Sequence, residues 1–296
     1  MEKEIGLRIN TIRNYKSLKR LVIAYENYSS SSIILEEVNK SFVESFTKWM
    51  LDHKGYSVNY TANIIRLLKA ICSEAEKNGI KVHYYAKFIS SFNQARSDRY
   101  LQIISFEEIQ KIKNAQNLTY REKNAQAWIL IGLYLGQRVS DLLSISPGNV
   151  RASKNGGVYV DVLQKKTGRS VTIGVIDPYV VNLLREKFPT PIYAQKFNYL
   201  MKQVCEKAGL NDVVKGYKLS KSPKRKVFGE YYKWEIIAAH DLRRSFATNY
   251  FGKIETPLLM HITGHTKETT FLKYIGRNQN RDSFADAFME KARFIE

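Results

Sequence analysis

Five short segments carry side chains suited to work on a phosphate ester. Gly136-Gln137-Arg138-Val-Ser-Asp141 supplies one guanidinium. Lys165-Lys166-Thr-Gly-Arg169 supplies two ammoniums in what reads as a turn. His240-Asp-Leu-Arg243-Arg244 sets an imidazole beside two guanidiniums at helical spacing. Gly264-His265 adds a second imidazole, and Tyr274 follows nine residues later. A phosphodiester resists attack because its anionic oxygens repel a nucleophile. An enzyme that uses no metal must bring fixed positive charge to the developing phosphorane, and a guanidinium does so with a planar pair of N–H donors. Arg138 and Arg243 suit that role, and His240 and His265 add donors or proton transfer near neutral pH. A phenol ionises only near pH 10 unaided, so a nucleophilic tyrosine needs such a cationic pocket.

Each segment alone has an ordinary explanation. Arg138 could pair with Asp141 across a helical turn, the turn lysines could be merely exposed, and Arg243-Arg244 could be one more basic face. His240 could cap a surface helix, His265 could be a satisfied helix-end histidine, and Tyr274 is one of 19 tyrosines. His261 and His265 stand one helical turn apart, as metal ligands can. However, Gly264 lies between them, the H-E-x-x-H glutamate is missing and no third ligand is evident, so no metal is expected.

The elements that must position these groups are mostly helical. Residues 11–27 place Ile12, Tyr15, Leu18, Leu21, Val22 and Tyr25 at helical spacing. Ser41-Phe-Val-Glu44 reads as a capping box opening a helix that carries Phe46, Trp49 and Met50 and stops near Gly55. A third helix covers 57–78 and ends at Gly79. Residues 91–100 are polar and basic and break the periodicity. A second capping box, Ser105-Phe-Glu-Glu108, then opens a new helix. Residues 121–136 form an apolar helix ending at Gly136, too short to span a bilayer and suited to a core. Val158, Val160 and Val162, then Val171, Ile173 and Val175, alternate in the manner of a hairpin or meander about the Lys165–Arg169 turn. Asp177-Pro178 restores helix, another helix runs through 195–208, and the chain is expected to be helical from 240 to its end. The fold class is therefore mainly α with a small antiparallel β-sheet (α+β). The expected organisation is a helical domain over 1–93, a linker over 94–101 and a second domain over 102–296.

The charge points to a polyanion. The 296 residues hold 47 Lys and Arg against 28 Asp and Glu, a net +19, and such an excess usually marks a nucleic-acid partner. Both residues 1–100 and residues 101–296 are basic, so each part can neutralise phosphates and release counterions. Residues 215–226 hold six basic side chains and no acid; Lys221, Lys224, Arg225 and Lys226 there are candidate DNA contacts, with Lys165, Arg169 and Arg244. Cys72 and Cys205 form no paired motif, which fits a reduced, cytoplasmic protein. No signal core or membrane span is expected.

Taken together and in order, the set resembles the tyrosine recombinase (phage integrase) family: Arg, Lys in a β-turn, His-x-x-Arg, His, Tyr. All six positions match, as Arg138, Lys166, His240, Arg243, His265 and Tyr274, and the helical first part is similar to the family's core-binding domain. The resemblance implies a core-binding domain followed by a tyrosine-recombinase catalytic domain. It implies a site-specific DNA recombinase of the integrase, transposase or invertase type, with Tyr274 attacking DNA to give a 3′-phosphotyrosyl intermediate and strand exchange through a Holliday junction. It selects Lys166 over Lys165, because Lys166 immediately precedes Thr-Gly, and makes it the general acid on the leaving 5′ oxygen. Asp141 becomes a supporting carboxylate. The covalent intermediate conserves the energy of the broken bond, so no cofactor, ATP or metal is implied. The implied partners are double-stranded recombination sites held by a homotetramer, with no membrane, in the nucleoid-associated cytoplasm of a prokaryote. A DNA-binding regulator on the same scaffold and a type IB topoisomerase-like enzyme are the alternatives. Two features depart from the pattern. Thr263 stands before Gly264, where an apolar residue is common, and the sequence opens directly on the core-binding-like region where many members carry an arm-binding domain. Residues 282–296 read as an amphipathic helix with Phe284, Phe288 and Phe294 on its apolar face, packed either on its own domain or, by the resemblance, on a neighbouring protomer.

Overall fold

Side-chain periodicity translates into two separate hydrophobic cores. The structure, a computed structural model, describes residues 9–90, 92, 100–154, 156–220, 225–276, 285, 288 and 289. The chain divides into two units, Met1–Ser97 and Asp98–Glu296. Residues 94–99 of the expected linker, Lys221 and Lys224, and Phe284 and Phe294 of the expected terminal helix lie outside the described residues.

The first unit is a helical bundle of α1 (Ile9–Ser29), α2 (Lys40–Lys48) and α3 (Val58–Lys77). Leu18 and Leu21 from α1, Phe46 from α2, and Ile64, Ile65 and Leu68 from α3 bury together with Trp49 and Met50. The start of α2 differs from expectation. Asn39, not Ser41, is the N-cap, and its side chain accepts from the Phe42 N–H at 2.9 Å. Helix begins at Lys40, so Ser41 falls inside the first turn and cannot cap it. The chain passes from α2 into a π-helical turn over Trp49–His53.

The second unit is built around one buried helix. In it α4 (Phe106–Lys113), α5 (Tyr120–Leu135) and the short α6 (Val139–Leu142) lead to a sheet of β1 (Val150–Ala152), β2 (Val158–Gln164) and β3 (Arg169–Val175). The capping box at Ser105 and Glu108 is present. Residues Ala125–Leu135 of α5 are buried almost throughout because the helix is apolar on every side. The sheet is antiparallel in the order β1-β2-β3, with Val160 opposite Ile173 and Gln164 opposite Arg169. Strand β1, three residues long, was not anticipated from the alternation of β2 and β3. After α7 (Pro178–Arg185), capped by Asp177, and α8 (Ala194–Lys207), the chain forms a two-stranded ribbon of β4 (Val213–Leu219) and β5 (Lys226–Tyr232). The short α9 (Lys233–Ile236), then α10 (Ala239–Tyr250), α11 (Thr256–Thr263) and α12 (Glu268–Ile275), complete the described elements. Cys72 and Cys205 are free and buried, and burial pushes the Cys205 thiol up to about 12. No helix among the described residues is long and apolar enough to cross a membrane.

Candidate active site

Three segment ends meet at one buried hydrogen-bond hub. Helix α5 stops at Gly136, which takes a left-handed φ of 60°. A Cβ there would lie 2.4 Å from the Phe246 ring, so the close turn into Arg138 requires glycine. Between Gly136 and Arg138, the Gln137 side chain donates to Leu135 O and to Ile262 O, each at 2.9 Å. Gln164, the last residue of β2, donates to Gln137 Oε1 and to Ile262 O, each at 3.0 Å. Thus Arg138, the Lys165-Lys166 turn and the Thr263-Gly264-His265 end of α11 all hang on Gln137, Gln164 and Ile262. In the sequence Gln137 is an unremarkable neighbour of Arg138, and Gln164 carries no role. A legible signal existed for Gln164: it continues the inward face of Val158, Val160 and Val162, where a polar residue must find buried partners.

Helix α10 carries the His240-x-x-Arg243 pair and is clamped in place. The Ser245 hydroxyl accepts from Ile104 N–H at 2.8 Å and donates to Asp241 O at 2.7 Å, while Asn249 donates to Ile104 O at 2.9 Å. Arg243 is 1% exposed and donates to Gly136 O at 3.3 Å. Burial, and secondarily the charge of Arg138, lowers its pKa to about 10. Arg138 has a buried Nη1 with no hydrogen-bond partner, and Asp141 likewise has a bare Oδ2. Among the described residues no ion pair joins Arg138 with Asp141. Instead Asp141 Oδ1 accepts from the Lys165 N–H at 3.3 Å, which holds the lysine turn. Lys166 is exposed on that turn, and its charge is felt at His240.

Tyr274 sits on α12 against these groups. Its ring lies 5.3 Å from His240 and 5.0 Å from His265, centroid to centroid, and its hydroxyl donates to His240 O at 3.4 Å. Arg244 is turned inward: it pairs with Asp241, donates to Tyr274 O at 3.3 Å and lies 5.2 Å from the Tyr274 ring. That geometry suits holding Tyr274 better than reaching a DNA backbone. Burial raises the Tyr274 pKa, and Arg243 and Arg244 only partly offset it. A cationic pocket was expected to ease ionisation; here desolvation outweighs it, and the phenol keeps its proton. Both histidines are held at about 4. For His240, an exposed residue, the causes are partial desolvation first, then Arg244, Arg243, Arg138 and Lys166; for His265 they are burial, Arg243, Arg138 and His240. Both imidazoles are neutral at pH 7.

The six ordered residues therefore converge, apart from the turn lysine at the rim. Among the candidate DNA contacts, Lys165, Arg169, Arg225 and Lys226 are exposed, the last two at the tip of the β4–β5 ribbon. No group of His, Cys, Asp and Glu suited to a metal occurs among the described residues.

Comparison with known proteins shows the family and the fold. A model of the phage integrase SAM-like domain matches residues 1–90, and the model of the phage integrase family matches residues 102–281. Lambda integrase bound as a dimer to a core site superposes with a TM-score of 0.69 at 16% identity, over 94% of this chain and 93% of that one. XerH recombinase in a post-cleavage complex gives 0.65 at 16%, over 95% and 80%. The Tn1549 transposon integrase bound to transposon-end DNA gives 0.64 at 16%, over 99% and 96%. No curated protein matches the chain.

Proposed function

The chain belongs to the phage integrase family and is a site-specific tyrosine recombinase, a DNA strand transferase; from that premise we propose that Tyr274 is its nucleophile and that Arg138, Lys166, His240, Arg243 and His265 complete the catalytic set. One observation carries the assignment. Arg243 is buried with its guanidinium on Gly136 O at 3.3 Å and against the Tyr274 side chain, and beside it Arg138 holds a buried nitrogen with no hydrogen-bond partner. Burying a guanidinium without an anion costs several kcal/mol. Neither arginine is ion-paired with a carboxylate among the described residues, so both suit the non-bridging oxygens of a scissile phosphate. Loss of one such donor slows chemistry by roughly 10²–10³.

In the proposed reaction the Tyr274 oxygen bonds to phosphorus, the bond to the 5′ oxygen breaks, and Lys166 protonates that leaving oxygen. Attack by a free 5′ hydroxyl reverses the step. Asp141 holds the Lys165-Lys166 turn, and Arg244 holds Tyr274 through its carbonyl and ring. The division of labour is a core-binding domain over 1–93 and a catalytic domain over 102–296, joined by 94–101. Lys165, Arg169, Lys221, Lys224, Arg225 and Lys226 contact the DNA backbone. Lambda integrase has been seen as a tetramer on a Holliday junction, and four protomers on two sites are proposed here too, acting on nucleoid DNA in a prokaryotic cytoplasm.

A nicked suicide substrate carrying the mapped target site tests the assignment. Wild type is expected to form a covalent protein–DNA adduct, and Tyr274→Phe to bind the same DNA without one. Persistence of the adduct in Tyr274→Phe would move the nucleophile to another residue.

A further inference from the structure

We propose that Thr263 is a positioning residue whose hydroxyl holds His265 in one neutral tautomer, proton on Nδ1 and lone pair on Nε2, so that His265 meets Tyr274 as a proton acceptor. The argument is a count of hydrogens. Thr263 Oγ1 lies 2.6 Å from Leu259 O and 2.9 Å from His265 Nδ1. The hydroxyl owns one proton, and a carbonyl oxygen can only accept. Given to Leu259 O, that proton makes the shorter contact a hydrogen bond and leaves an Oγ1 lone pair for Nδ1–H. Given to Nδ1 instead, it would press two bare oxygens together at 2.6 Å. Thr263 is 0% exposed, so solvent is not at hand to relieve that contact.

The backbone supports the same pose. Gly264 turns with φ 63°, and the His265 N–H donates to Met260 O at 2.9 Å, which sets the imidazole root two residues beyond the helix end. Charged or titratable groups around the ring are Arg138, Arg243, His240 and Tyr274, with Arg169, His261 and Glu268 lining the adjoining cleft of about 560 Å³. Burial first, and then Arg243 and Arg138, keep the ring neutral at pH 7, so Nε2 has a lone pair when DNA arrives.

The consequence rests on Tyr274 as the nucleophile. As the Tyr274 oxygen bonds to phosphorus, its proton passes to His265 Nε2, giving an imidazolium beside the new phosphodiester. The bond to the 5′ oxygen breaks and Lys166 supplies its proton. Rejoining returns both protons. A histidine locked the other way round could donate to the phosphate but could not relieve a phenol whose pKa burial has raised.

Two substitutions in the full chain test the role: Thr263→Val, which keeps the shape and removes the hydroxyl, and Thr263→Ser, which restores it. Long-range ¹H–¹⁵N spectra of ¹⁵N-histidine protein, with His265 assigned through His265→Asn, report the tautomer without DNA. Wild type and Thr263→Ser are expected to carry the proton on Nδ1, and Thr263→Val to lose that preference. Single-turnover adduct formation on the nicked site is expected to slow about 10²-fold in Thr263→Val, with DNA affinity unchanged and near wild-type rates in Thr263→Ser. A wild-type His265 protonated on Nε2, or a Thr263→Val as fast as wild type, would overturn the proposal. Absence of a wild-type adduct on the mapped site would instead overturn Tyr274 as nucleophile, and the spectra would still decide what Thr263 does.

Discussion

At the scale of single residues, the candidate site holds two arginines, Arg138 and Arg243, with no carboxylate ion-paired to them among the described residues. Burial depresses both histidines first; Arg243 and Arg138 add to it at each, and Arg244 and Lys166 at His240. The sign of the linkage follows. A histidine with a folded pKa near 4 and an ordinary pKa near 6.5 binds fewer protons folded than unfolded between those values. Stability is therefore complete above about pH 6.5 and is lost as the pH falls toward about 4. Thermal unfolding of the DNA-free protein at pH 7 and pH 5 measures this. Wild type is expected to lose more stability over that interval than the His240→Asn/His265→Asn double variant; equal losses would mean that the histidines are not depressed.

At the scale of elements, the geometry depends on where helices and strands stop. Arg138, Lys165-Lys166 and His265 each lie one to three residues beyond an element end, and the ends are tied by Gln137 and Gln164 through Ile262 O. Gly264 is the tightest point: an added Cβ would stand 2.1 Å from Gln164 Oε1, at a left-handed φ of 63°. Gly264→Ala is expected to destabilise the fold by about 1–3 kcal/mol from the backbone conformation alone, read by chemical denaturation, and to displace Gln164 as well. Gln164→Leu takes the donor from Gln137 Oε1 in a buried setting, an expected loss of about 1–3 kcal/mol. In both variants adduct formation should fall further than DNA affinity, because the lysine turn and His265 lose their common anchor. Unchanged cleavage in Gln164→Leu would show that the hub does not set the site.

At the scale of the whole molecule, charge decides how DNA is held. The net +19 is spread over both units. If about 6–10 phosphates are neutralised, affinity for the target site is expected to fall roughly 10³–10⁵-fold between 50 and 200 mM salt. Fluorescence anisotropy with labelled duplex measures the slope, and a flat response would contradict phosphate-dominated binding. The β4–β5 ribbon, with Arg225 and Lys226 exposed at its tip, is the contributor we propose: its replacement by a short turn should lower the slope and leave the tyrosine pocket intact.

The sequence by itself determined the longer helices, the β2–β3 hairpin and the order of the six candidate residues, because periodicity and capping are local and a phosphate-directed set is recognisable by its chemistry. Tyr274, one among 19 tyrosines, stood out only through that order. What the tertiary structure decided is everything that depends on distant segments meeting. The α2 cap moved to Asn39 because the first helical residue is set by packing as well as by pattern. Arg244 turned from a surface cation into a partner of Asp241 and Tyr274, and Gln137 and Gln164 became the hub. Burial, which no local pattern measures, reversed the expected sign of the Tyr274 shift. Thr263, read as a mild departure, became the hydroxyl against His265, since a single proton shared among three atoms is a matter of distances that only the folded chain supplies.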